Sequence, residues 1–133
     1  MSGETDLDVL LKTLNATLIE GLYVFATVGN DDERAYSLAR MVFREAEGTT
    51  LILLQEQANE LGLSYEFPCR MITLNIHSSL EAVGFMARIT TVLAAHGMGV
   101  NPVAGFFHDH LFVPDGREQQ AMQLLKQIAE GTL

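Results

Sequence analysis

Residues 78–84 carry side chains from which a site for a small zwitterion can be built. They precede a segment with helical apolar spacing, and Ser78 and Glu81 have the Ser-x-x-Glu spacing of a capping box. A helix N-terminus presents free N–H groups and a partial positive charge, so a carboxylate can bind over residues 78–83. If Glu81 is released from capping, its carboxylate can receive an ammonium group. An amino acid satisfies both ends, whereas the plain alternative is a capped helix without a ligand.

Two glycines bear on the same hypothesis. Gly84 lies in the first turns of the predicted helix, where glycine costs about 1 kcal/mol relative to alanine. Its missing side chain leaves room for a closely packed backbone or for a small ligand. Gly105, between Ala104 and Phe106, interrupts a strand pattern, which marks either sheet curvature or the close approach of a ligand.

A second group of residues could bind a metal ion. His108 and His110 flank Asp109, and His77 ends a predicted strand, so a metal-dependent enzyme is one hypothesis. We favour a two-residue hairpin turn at His108 and Asp109, because structural zinc requires four ligands and no further ligand is adjacent. No nucleophile-and-base spacing or phosphate loop is evident, and we expect neither a cofactor nor catalysis.

The elements that position these residues form two similar series. In the first half we predict a helix over 7–14, a strand over 23–28, a hairpin of 41–46 with 49–54, and a helix over 55–61. The connection 29–38 is polar and is predicted to lack a helix. In the second half we predict a strand over 71–77, a helix over 80–96, a hairpin that turns at residues 108–109, and a helix over 115–130.

The order of these elements favours an α+β fold of ferredoxin-like type, βαββαβ, in which helices cover one face of an antiparallel sheet. The second half lacks a strand after its last helix, so the first half must supply it. We therefore expect two interlocked subdomains, with boundaries at residues 1–68 and 69–133.

Composition narrows the class of protein. Of the 133 residues, 48% are hydrophobic and 19% are charged, which is typical of a folded domain. The formal net charge of −9 repels phosphate backbones, so we expect no nucleic-acid partner. One cysteine cannot close an internal disulfide, and no apolar segment approaches the length of a membrane span, so we expect a cytoplasmic protein without membrane association.

Residues 71–105 resemble the ACT domain of amino-acid-sensing regulatory proteins. That family has a strand, an Asp-x-Pro-Gly turn, a helix, a glycine and a second strand. Gly84 falls on the motif glycine, Glu81 on its aspartate, Val83 on its proline and Gly97 on the closing glycine. The whole chain is similar to short bacterial proteins of two ACT-like units, related in plan to arginine-sensing ACT proteins.

The resemblance implies a regulatory module that binds an amino acid where the strand-to-helix loop faces another unit, and it implies a homodimer. The expected ligand-binding residues are Ser78, Ser79, Leu80, Glu81, Val83, Gly84, Ala104, Gly105 and Phe106. Two hypotheses compete with this one. The first is a protein-interaction or oligomerisation module that uses an exposed sheet edge, and the second is the metal-dependent enzyme.

Overall fold

The computed structural model describes residues 3–133, which form two compact units. Unit 1 joins the segment that ends at Glu20 to Arg70–Leu133, and unit 2 is Gly21–Cys69. The elements in chain order are α1 (Leu7–Lys12), β1 (Ala16–Leu18), β2 (Tyr23–Val28), α2 (Glu33–Leu38), β3 (Met41–Arg44), β4 (Thr49–Leu54), α3 (Gln55–Glu60), β5 (Tyr65–Leu74), α4 (Phe85–Ala95), β6 (Asn101–Ala104), β7 (Asp109–Pro114) and α5 (Glu118–Glu130).

Unit 2 has the ferredoxin-like strand order. Its strands run β5-β2-β4-β3, all antiparallel, and residues 65–69 of β5 supply the strand beside β2. The predicted strand 23–28, the hairpin and the helix that ends before Gly62 are all confirmed. The core beneath α2 and α3 consists of Val24, Ala26, Val28, Ala35, Leu51, Leu53 and Ala58.

The expectation that the connection 29–38 lacks a helix is wrong. The six-residue helix α2 lies there, and Asp32 begins it by accepting a hydrogen bond from the Ala35 N–H at 3.1 Å. Ala35 is fully buried against the strands. A helix that buries one side chain shows no apolar periodicity, which is why the sequence pattern did not reveal it.

Unit 1 has the same strand order, and both ends of the chain contribute to it. Its strands run β1-β5-β7-β6, with Leu18 opposite Ile72 and Val103 opposite His110. The short strand β1 therefore supplies the fourth strand that the second half lacks, as the sequence predicts. The predicted division at 68/69 stays a prediction, although the N-terminal segment lies in the unit of the C-terminal half.

The helices α1, α4 and α5 cover one face of unit 1. Leu10, Ile89 and Leu125 project from them into a core with Ile72 of β5 and Leu111 of β7, and each is at most 1% exposed. The apolar spacings predicted for α1, α4 and α5 therefore identify the buried faces of these helices.

Three predicted boundaries in the second series of elements are wrong. Strand β5 begins at Tyr65, not residue 71, and ends at Leu74, not residue 77. The positive φ of Phe67 and a register shift against β2 interrupt the alternation of side chains in its first part, so the sequence pattern did not reveal that part. Helix α4 begins at Phe85, not residue 80, because the chain forms turns over residues 79–84 before the helix. The hairpin loop is residues 105–108, closed by a 2.9 Å hydrogen bond from the Gly105 N–H to the His108 carbonyl, and Asp109 already belongs to β7.

Within residues 3–133, none of the helices has the length and apolar character that a membrane crossing requires.

Candidate functional site

The loop between β5 and α4 is joined to the β6–β7 hairpin by a side-chain hydrogen bond. Ser78 is 7% exposed, and its Oγ donates to Oδ2 of Asp109 at 3.0 Å. Asp109 lies opposite Ala104 across the hairpin. The bond ties Ser78, the first residue of the predicted segment 78–84, to the strand partner of Ala104 in the predicted segment 104–106. The sequence pattern does not mark Asp109 as a site residue, because Asp109 fits a hairpin turn.

The predicted capping box is not present in this loop. Ser79, rather than Ser78, makes the local contact, because its Oγ accepts from the Glu81 N–H at 3.1 Å. The Ala82 N–H donates to the Ser79 carbonyl at 3.0 Å, which closes a turn before the helix. Glu81 is consequently exposed, and its carboxylate is not engaged in capping α4.

Gly84 is the N-cap residue of α4, and its backbone explains why glycine is needed. Its φ of +89° lies in the left-handed region, which costs most other residues about 1–2 kcal/mol. A Cβ built on Gly84 would lie 3.5 Å from Cδ2 of Leu7, which is an ordinary packing distance, so the position has room for a methyl group. The backbone angle therefore requires the glycine, and a ligand beside it stays a prediction.

The N-terminal segment reaches the same loop through its backbone. The Glu4 N–H donates to the His77 carbonyl, and the Ser79 N–H donates to the Glu4 carbonyl, both at 2.8 Å. Glu4 thereby pairs with Ser78 as an isolated parallel bridge. The sequence offered no signal for this contact other than Gly3, whose role depends on a partner 75 residues away.

The tip of the hairpin carries two exposed aromatic rings. Phe106 and Phe107 are 63% and 61% exposed and contact each other edge to face at 5.0 Å between centroids. The ring of His77 lies 5.5 Å from that of Phe107. Leu80 and Val83 are 66% and 83% exposed, so the loop also presents apolar side chains to solvent.

The histidines have protein partners in this region. Nδ1 of His110 lies 3.0 Å from Oγ1 of Thr73, and Nδ1 of His108 lies 3.3 Å from the carbonyl of Ile76. Among residues 3–133, no group of three or more His, Cys, Asp or Glu side chains is arranged to hold a metal ion.

Cavities occur elsewhere in each unit. In unit 1, a groove of about 350 Å³ lies beside α5 and is lined by Leu14 and Met122, with Lys126 and Glu130 at its polar side. In unit 2, a cavity of about 410 Å³ lies beside β2 and the start of β5, and one of about 250 Å³ lies beside Arg40 and Tyr23. None of the three is lined by residues 78–84.

Comparisons with known proteins identify the fold and family. The chain is 43% identical to a Vibrio cholerae protein of unknown function, described as a possible transport protein, with 92% of this chain and 95% of that chain covered and a TM-score of 0.84. An Agrobacterium tumefaciens protein shares 14% identity over 87% of this chain and 89% of its own, with a TM-score of 0.73. No curated protein matches by sequence.

The fold is also that of a regulatory subunit of aspartate kinase from Thermus thermophilus. The two chains share 10% identity, 89% of this chain and 97% of that chain are covered, and the TM-score is 0.66. Sequence models of the ACT domain match residues 2–70 and residues 66–127, so each half of the chain is recognised. The chain belongs to the ACT domain family and contains tandem ACT units.

Proposed function

We propose that this chain is a non-catalytic regulatory module that binds an amino acid at residues 78–84 of unit 1, beside residues 104–106. The observation that carries the proposal is the bond between Ser78 and Asp109, which holds the loop against the hairpin. Membership of the ACT family supports it, because ACT domains typically bind amino acids for regulation.

The N-terminus of α4 is suited to the carboxylate of such a ligand. The N–H groups of Phe85, Met86 and Ala87 lie in the first turn and have no acceptor within the helix. No acidic side chain lies in this turn to compete with a bound anion. The helix dipole adds a favourable interaction of about 0.3–1 kcal/mol with a negative charge.

Glu81 is suited to the ammonium group at the other end. Glu81 is exposed and does not cap α4, so its carboxylate is available to a ligand. The exposed apolar side chains of Leu80, Val83 and Phe106 favour burial under a ligand and a second ACT unit. We therefore place the ligand where this loop faces another ACT unit, in a cytoplasmic protein that self-associates as a homodimer.

A thermal-shift assay with each proteinogenic amino acid tests the proposal. A ligand at one hundred times its Kd stabilises the folded state by about 2.7 kcal/mol. We expect one amino acid to give a concentration-dependent rise in melting temperature. Glu81→Gln should weaken the affinity for this amino acid about ten-fold, which is the loss expected for one charged hydrogen bond. Glu60→Gln, an exposed change in α3, should leave the affinity unchanged. Equal binding by both variants would exclude a role for Glu81 in holding the ligand.

An interaction module without a ligand is the second candidate, and one observation favours it. Strand β3 is the edge of the unit 2 sheet, and its Phe43 is 64% exposed. An exposed apolar edge strand is a template for pairing with another chain. Sedimentation that shows self-association, lost in Phe43→Glu and unaffected by amino acids, would support this candidate over the sensor.

A further inference from the structure

The segment before α1 lies against the loop that we propose binds the ligand. We call residues 3–6 the N-terminal strap. Glu4 makes two backbone hydrogen bonds of 2.8 Å, one to His77 and one from Ser79. The Ser79 N–H, at the centre of the proposed site, is thus occupied by the chain itself. A ligand oxygen that binds over residues 78–83 can accept from this N–H only if Glu4 moves away.

Gly3 makes this close contact sterically feasible. Its φ is +96°, and a Cβ at this position would lie 2.6 Å from the backbone nitrogen of Ser79 and 2.8 Å from the carbonyl carbon of Ser78. Real Cβ atoms do not approach backbone this closely, so a larger residue forces the strap or the loop to move. The docked strap is therefore specific to glycine at position 3.

The strap also leads directly into α1, whose first residue contacts the start of α4. Oε2 of Glu4 accepts from the N–H groups of Thr5 and Asp6, and Asp6 in turn caps α1. These bonds direct the chain so that Leu7 lies over Gly84. The strap therefore occupies an N–H group of the loop on which we place the ligand.

The strap can detach while α1 stays in place. Glu4, Thr5 and Asp6 are exposed, so undocking them disrupts little apolar packing. Leu10, by contrast, is fully buried and anchors α1 in the unit 1 core. Hydrogen bonds of exposed segments open at much lower free energy than a packed core.

We infer that the N-terminal strap is a built-in competitor of the ligand, so that strap docking and amino-acid binding exclude each other. This inference rests on the proposed function. Binding then releases residues 3–6, and the released segment is the signal of occupancy. The apparent affinity is reduced by the fraction of chains in which the strap is docked.

Gly3→Val tests the competition, and Gly116→Val is its matched control. Gly116 also has a φ of +96°, but no atom lies within 4 Å of a Cβ built there, so this change adds the same backbone strain without touching the loop. We expect Gly3→Val to bind the amino acid found in the panel about ten-fold more tightly, as if the strap were docked in about nine-tenths of chains. Gly116→Val should bind as wild type does. A chain lacking residues 3–5 checks that the gain comes from strap release.

Hydrogen exchange supplies the second readout. We expect saturating ligand to speed exchange at the Glu4 amide of the wild type, and we expect Gly3→Val to do so without ligand. If Gly3→Val binds an amino acid and the wild type does not, this result also supports the inference. If the wild type binds but Gly3→Val binds equally or more weakly, or if ligand slows exchange at Glu4, the strap is not a competitor and the amino-acid site stands. If neither protein nor the truncated chain binds any amino acid, both proposals are wrong.

Discussion

Gly84 shows that a glycine can be required for two different reasons. Its position suggested a vacancy inside a helix, but it precedes the helix and has a φ of +89°. Sequence alone cannot separate the two cases, because both need a residue without a Cβ. In the structure, a turn closed by the hydrogen bond between Ser79 and Ala82 precedes α4, so the helix begins after Gly84 and not before it.

Gly84→Ala is expected to lower the free energy of unfolding by about 1–2 kcal/mol, because alanine is strained in the left-handed region. The Leu7 contact at 3.5 Å is ordinary packing distance and adds little. Gly62→Ala is the control, with a φ of +67° and open space around it. Chemical denaturation should give similar losses for both, and a neutral Gly84→Ala would contradict the assigned conformation.

Ser78→Ala is expected to destabilise the chain by about 1.5 kcal/mol, since it removes a hydrogen bond to a charged group and leaves a half-buried carboxylate without that donor. A double-mutant cycle with Asp109→Ala isolates the pair, and denaturant titration measures each corner. We expect a coupling energy of about 1 kcal/mol. Strictly additive losses would mean that the two side chains do not interact.

At the scale of elements, helices with apolar periodicity were predictable, whereas α2 and β1 were not. The spacing of Ala121, Leu124, Leu125 and Ile128 identified α5 and its buried face. The three-residue strand β1 has no such signal, because its pairing with β5 depends on a partner more than 50 residues away. The strap was not predicted for the same reason, because Glu4 pairs with His77 and Ser79, which are distant in sequence.

Leu93→Ala tests the assigned face of α4. Leu93 is fully buried in the unit 1 core, so we expect a loss of about 2–5 kcal/mol from the cavity left behind. Leu80→Ala, in the exposed loop, should change stability by less than about 0.5 kcal/mol. Thermal or denaturant unfolding of the two variants checks this, and comparable losses would contradict the placement of α4.

At the scale of the molecule, the sequence predicted the topology better than the boundaries. A missing last strand in the second half required one from the first half, and β1 fills that place beside β5. This inference needed only the order of elements and the rule that ferredoxin-like sheets have four strands. The candidate site was partly predictable, since the loop and hairpin were named but Asp109 and Glu4 were not.

The net charge of −9 predicts which ligands bind best. Glu4, Glu81 and Asp109 add negative charge at or beside the loop, so we expect basic amino acids to bind more tightly than acidic ones of similar size. Calorimetric titrations at low and high salt check this, because screening should reduce the difference. A preference for acidic ligands would contradict the assigned charge environment.

The most direct measurement of the central claim is a nuclear magnetic resonance titration of the wild-type chain with the amino acid that shifts its melting temperature. We predict that the perturbed backbone amides cluster at residues 78–87 and 104–109, with a further change at Glu4. Saturable shifts confined to another region, such as the groove beside α5, or no shifts with any amino acid, would contradict the account.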